Sequence, residues 1–211
     1  MSQVQIFDCE QGSPEWHACR LGIPTASEFS TVMAKGRDGG VSATRTTYML
    51  KLVGEMLTGE VQEGYSNAHM ERGKVMEAEA RDLYAMLRDV EPQQVGFMRR
   101  GEMGASPDSL VGDTGLLEIK TKLPHLHIAA LLAGKLPAEH KAQVQGQLLV
   151  SGREWCDFVS YWPALPPFIV REYRDEPYLS TLSAAIDKFN AEKADVLARV
   201  QSYIIPKEQA A

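Results

Sequence analysis

Ser106-Pro107-Asp108-Ser109-Leu110-Val111-Gly112-Asp113-Thr114-Gly115-Leu116-Leu117-Glu118-Ile119-Lys120 decides both the fold and the chemistry. Two runs with strand character, Gly104 to Leu110 and Leu116 to Lys122, flank the turn-forming Gly112 to Gly115. Side chains alternate across a sheet, so Glu118 and Lys120, two apart, share a face. A strand that opens Leu-Leu would ordinarily continue apolar, and a carboxylate and an ammonium in its place mark a polar site at the edge of the core. Asp108 belongs to the preceding strand. If Val111 pairs with Leu116, Asp108 falls opposite Ile119 and faces away from Glu118. A bulge or a loop of different length is therefore expected to shift the register, with Pro107, which cannot donate to a ladder, as a candidate break.

Working outward, apolar spacing predicts helices over Ser27 to Ala34, Ala43 to Leu57 and Ala68 to Arg88. Downstream it predicts a strand from Gln94 to Arg99, then, past the hairpin, a helix from Pro137 to Ser151. Strands over Glu154 to Trp162 and Phe168 to Tyr173 and a helix from Tyr178 to Tyr203 complete the pattern. The class is α/β, a mixed β-sheet flanked by helices, in a single domain spanning 1–211. The Gly-rich run Lys35 to Val41 reads as a loop.

The 211 residues, 44% hydrophobic and 24% charged, suit a globular chain that buries a core and exclude disordered and fibrous classes. No apolar run approaches a membrane span and the N-terminus lacks a signal pattern, so a cytoplasmic protein is expected. Cys9, Cys19 and Cys156 form no CxxC pair and read as reduced thiols. The net charge of −6 is unusual for a nucleic-acid binder. Locally the balance reverses: His17 to Lys51 holds Arg20, Lys35, Arg37, Arg45 and Lys51 against Glu28 and Asp38.

Paired carboxylates beside a lysine suit phosphodiester hydrolysis, in which the acids fix a divalent cation and the lysine orients or deprotonates water. The hard oxygen donors favour Mg²⁺, with Mn²⁺ as a substitute. His125 and His127 follow the strand at a spacing that reads as packing. On the helix from Ala68, Glu77 shares a stripe with Gly73, Ala80 and Tyr84; it is either an acid of the site or a partner of Arg81 at i+4. Gln143 and Gln145 offer an amide to the site, or are surface residues. Pro24-Thr25-Ala26-Ser27-Glu28 has the form of a capping box, with Thr25 as N-cap. Such a helix start, with the Ser27 hydroxyl and Arg20 upstream, can receive a phosphate.

Trp16-His17…Arg20-Leu-Gly22…Thr25-Ala-Ser-Glu28, Gly73-Lys74…Glu77…Ala80-Arg81, Ser106-Pro-Asp108…Leu117-Glu-Ile-Lys120 and Ala142-Gln-Val-Gln145, taken in order, resemble the phage λ-type 5′→3′ exonucleases. The resemblance implies a restriction-endonuclease-like core with Asp108 and Glu118 as metal ligands, Lys120 as the catalytic lysine, Glu77 as the helical acid and Gln143 as the supporting amide. It also implies that Arg20 and Ser27 hold a 5′-phosphate and that Arg37 contacts DNA, with Lys35 and Arg45 expected to face DNA beside it. The implied enzyme is a toroidal homotrimer that threads double-stranded DNA from an end, releases mononucleotides, leaves a 3′ overhang and works with a single-strand-annealing recombinase. Ser109 departs from the glycine the family often carries after the aspartate. An endonuclease on the same fold and a non-catalytic DNA-end-binding protein are the competing readings. The Arg20 and Ser27 pocket argues against the first, and intact Asp108, Glu118 and Lys120 against the second.

Overall fold

The computed structural model describes residues 3–36, 39–61 and 68–203. Its larger sheet is built on β5, Gly115–Thr121, which pairs antiparallel with β4, Ser109–Val111, and parallel with β6, Trp155–Tyr161; β7, Phe168–Tyr173, closes the edge against β6. A parallel pair needs a crossover. The chain supplies it with α5, Pro124–Ala133, and α6, Lys141–Ser151. Both faces of β5 are covered. Leu116 packs with Ala130, Val144 and Leu148 of the crossover helices, while Leu117 and Ile119 pack with Ala80 and Tyr84 of α4, Ala68–Arg88. Glu118 thus lies on the crossover face, in line with Leu116 and Lys120.

The expected strand from Gly104 to Leu110 is two strands. Met103–Ala105 forms β3 of a separate antiparallel sheet with β1, Gln5–Phe7, and β2, Phe97–Arg100, and the chain crosses to β4 at Ser106-Pro107-Asp108. The register is one residue away from the ideal hairpin. Val111 pairs with Gly115, Leu110 with Leu116 and Ser109 with Leu117, and Asp108, just past the paired residues, lines one cavity with Glu118. The cause is a three-residue turn, Gly112 to Thr114, that opens with Gly112 at φ +52°, a conformation cheap only for glycine. The Asp108 amide donates to the carbonyl of Leu117, the residue that pairs with Ser109, at 3.1 Å, so the regular ladder breaks at Asp108, beside Pro107.

Four further helices complete the chain: α1, Pro14–Arg20; α2, Phe29–Met33; α3, Ala43–Thr58; and α7, Glu176–Gln201. Phe29, Val32, Met49, Leu52, Leu182, Ile186 and Phe189 join α2, α3 and α7 in one core. Three elements lie outside the apolar-period expectations. β1 is too short to show alternation, α5 is apolar nearly all round, and α1 is signalled only by Ser13-Pro14, an N-cap followed by proline at the first turn. No helix among the described residues is long and apolar enough to cross a membrane.

Arg45 does not face DNA. It is 8% exposed, its Nε donates to the Val32 carbonyl at 3.1 Å, and its Nη1 pairs with Glu192 at 2.6 Å, so it ties α3 to α2 and α7. A guanidinium with one side on Phe189 and both ends occupied is a strut of the core. Lys35 is exposed at the foot of its loop, where it bridges Val41; Arg37 lies outside the described residues. Arg45→Ala removes the side-chain donor of the Val32 carbonyl and leaves Glu192 with Lys188 at 3.9 Å, and is expected to cost about 1–3 kcal/mol of stability. Chemical denaturation checks this, with the salt dependence of DNA binding expected to stay at the wild-type slope.

Candidate active site

Glu118 is 1% exposed, and a buried carboxylate must find donors. Its Oε1 accepts from Gln143 Nε2 at 2.6 Å and pairs with Lys120 Nζ at 2.5 Å; its Oε2 accepts from Gln147 Nε2 at 2.5 Å. Gln143 and Gln147 are one helical turn apart on α6 and so reach one target. Gln147 is absent from the sequence-based set, although the i+4 spacing from Gln143 was its signal. The Cys156 thiol donates weakly to Gln147 Oε1, which keeps the amide nitrogen aimed at Glu118. Gln145 points elsewhere, to the Tyr173 carbonyl and the Asp175 amide, and braces the start of α7.

Asp108 Oδ2 accepts from the Ile119 amide at 2.6 Å, which locks the carboxylate against β5. Burial, then the charges of Glu118 and Glu77, push its pKa well above the ordinary range, against the pull of Lys120. Burial works to lower the Lys120 pKa, but Glu118 and Asp108 together outweigh it and hold the ammonium protonated. Glu77 pairs with Arg81 at 2.5 Å, and its charge also acts on Asp108.

A cavity of about 190 Å³ joins this cluster to the N-terminal segment: Asp108, Glu118, Lys120 and Gln143 line one side, Arg20 and Ser27 the other. The Arg20 guanidinium lies 3.6 Å over the Trp16 ring, and Trp16 Nε1 donates to Ser106 Oγ at 2.9 Å and to the Gly96 carbonyl at 3.1 Å. One indole thus links the arginine to the strand crossing that carries Asp108.

The capping box does not form. Thr25 bridges Gly104 in strand fashion, its side chain caps nothing, and Glu28 accepts instead from Thr31 Oγ1 at 2.9 Å. Residues 26–28 make a 3₁₀ turn before a five-residue helix. The weight of any phosphate contact therefore passes from a helix terminus to the side chains of Arg20 and exposed Ser27. His127 is a packing residue, buried between Ser160 Oγ and the Pro166 carbonyl, and His125 is exposed.

Among the described residues no trio of His, Cys, Asp and Glu is assembled as a ready metal cage. The donors nevertheless suit a hard divalent cation: Asp108 and Glu118 line one cavity with oxygen ligands only, and the raised Asp108 marks negative charge that the nearby cations leave under-compensated. Mg²⁺ keeps several waters and asks for one or two carboxylates rather than a full protein cage.

The model of the YqaJ-like viral recombinase domain matches residues 15–154. Among solved structures, an alkaline exonuclease from Laribacter hongkongensis, LHK-Exo, is 37% identical with a TM-score of 0.81, covering 90% of this chain and 97% of that one. The same enzyme in complex with dAMP matches at 37% identity and a TM-score of 0.82 over the same shares. A phage-related exonuclease from Haemophilus somnus 129PT shares the fold at 14% identity, with a TM-score of 0.65 over 84% of this chain and 96% of that one. No curated protein sequence matches.

The strained charge of Asp108 makes a stability prediction. Its folded pKa lies above its unfolded value, so the folded protein keeps a proton that the unfolded chain sheds, and stability declines as pH rises through the folded pKa. Without divalent cation, Asp108→Asn is expected to raise the melting midpoint by a few degrees at neutral pH and to remove that decline. Glu118→Gln, which puts an amide against three donors, is expected to lower it. Thermal melts between pH 5 and 9 in chelator distinguish the two.

Proposed function

Since this chain belongs to the family of YqaJ-like viral recombinase domains and is a nuclease, we propose that it is a Mg²⁺-dependent exonuclease that degrades the 5′-ended strand of linear double-stranded DNA to mononucleotides. The observation that carries this reading is the single cavity in which Arg20 and Ser27 face Asp108, Glu118 and Lys120. A terminal phosphate on the first pair places a phosphodiester near the second, whereas an enzyme that cuts internally has no use for an end pocket. The dAMP complex of LHK-Exo supports a mononucleotide product.

Asp108 and Glu118 would hold the cation, which supplies charge stabilisation at the phosphate and a lowered pKa for attacking water. Gln143 and Gln147 keep Glu118 aimed by donating to its two carboxylate oxygens. Lys120 holds its proton at Nζ and so acts as a charged donor to water or phosphate oxygen rather than as a ready base. Arg20, stacked on Trp16, presents a flat fork suited to a phosphate.

The product would be duplex with a 3′ overhang, the substrate of a single-strand-annealing recombinase, made in the cytoplasm. A chain of net charge −6 does not grip DNA by phosphate neutralisation alone. A closed homotrimer ring that threads the duplex would retain it, with Lys35 and Arg37 from three copies facing the channel.

Digestion of linear against closed circular duplex, with Mg²⁺ and with chelator, tests the reading. Linear DNA alone is expected to be consumed, and only with Mg²⁺; cutting of circles at a comparable rate would favour an endonuclease. Glu118→Gln and Lys120→Ala are expected to be inactive. Arg20→Ala is expected to lose about tenfold or more on 5′-phosphorylated ends, the loss of a bidentate charge-assisted contact, and far less on 5′-hydroxyl ends.

A further inference from the structure

Gly22 is held from both sides by charges that the chemistry described above does not use. Its N–H donates to Glu55 Oε2 at 3.1 Å and its carbonyl accepts from Lys193 Nζ at 2.7 Å. Glu55 comes from α3 and Lys193 from α7, and each is only 4% exposed. The residue between them is pressed against α3: Gly22 has φ +69°, and a Cβ there would lie 2.3 Å from Met56 Cγ. The same turn is closed by the Ile23 amide donating to the Arg20 carbonyl at 2.9 Å.

A turn needs only neutral hydrogen-bond partners to be stable, and burying an acid and a base costs more than burying an amide or a hydroxyl. Opposite charges on the two peptide groups that flank Gly22 hold the residue in direction as well as in place, because each strengthens its own hydrogen bond. The residue so fixed is two positions from Arg20, whose guanidinium must lie flat on Trp16 to face the cavity. Glu55 also lines the neighbouring cavity of about 320 Å³ with Arg20, Ser27 and Lys51. Its charge there opposes the effect of burial on Arg20.

We propose that Glu55 and Lys193 are positioning residues for recognition of the DNA end: clamping Gly22 from α3 and α7, they fix the turn from which Arg20 reaches the terminal phosphate. This rests on the assignment of Arg20 to that phosphate. It makes selectivity for phosphorylated ends depend on a lysine 171 positions away in sequence, on the far side of the clamped residue from α3.

The test compares kcat/KM on linear duplexes with 5′-phosphate and 5′-hydroxyl ends for the wild type, Arg20→Ala, Lys193→Met and Glu55→Gln, each with a thermal melt. Lys193→Met and Glu55→Gln are expected to lower the phosphate-to-hydroxyl ratio about fivefold or more, the scale of coupling within one network, through KM on phosphorylated ends. Added to Arg20→Ala, neither is expected to change the ratio further. If Lys193→Met does not fold, Glu55→Gln, which keeps the size and the acceptor, decides alone. A folded variant that keeps the wild-type ratio while Arg20→Ala loses it, or that slows both ends equally, overturns the clamp and leaves the Arg20 assignment standing. An unchanged ratio in Arg20→Ala overturns that assignment and the clamp together.

Discussion

A single buried carboxylate, Glu118, sets the terms for the surrounding structure. Placed by strand alternation on the crossover face of β5, it has no access to bulk water and needs donors from the protein. α6 provides two from successive turns, and Lys120 provides a charge from the same strand. That requirement fixes how α6 docks, since Gln143 and Gln147 must both point at β5 while Val144 and Leu148 on the adjoining stripe join the core with Leu116. A one-residue change in the hairpin turn would move Asp108 to the other face and leave Glu118 without its partner acid.

The cluster is costly to the fold and useful to the chemistry for the same reason. Burial and the charges of Glu118 and Glu77 raise the pKa of Asp108, and Lys120 does not offset them. A divalent cation bound there, as proposed, would relieve that cost. Arg20 follows a similar logic on the opposite wall. Burial disfavours its charge, and the Trp16 ring and nearby acids hold it ready for an anion.

Much of this is legible in the sequence, and the exceptions have identifiable causes. Glu118 and Lys120 are found by a period of two, which a seven-residue strand obeys well. Asp108 is found as a residue and a shift of its register is expected, but the sequence leaves open what shifts it, because whether Gly115 belongs to turn or strand is not written in its propensity. Gln143 and Gln145 cannot be separated without knowing which stripe of α6 meets the sheet, and Gln147 comes into view only once that stripe is known. Thr25 to Glu28 has the residues of a capping box, yet the parallel bridge to Gly104 overrides the local preference. Arg45 looks like one of a run of exposed cations, and only the packing of α7 against α3 turns it into a core strut.

Asp108 and Glu118 are proposed to form one cation site whose geometry depends on the buried carboxylate. Calorimetric titration of Mg²⁺ into the wild type, Asp108→Asn and Glu118→Gln, without DNA and at two pH values, addresses it most directly. The account predicts binding by the wild type that strengthens and releases fewer protons as pH rises, with binding lost in both variants. Undiminished binding of Mg²⁺ by folded Glu118→Gln would contradict it.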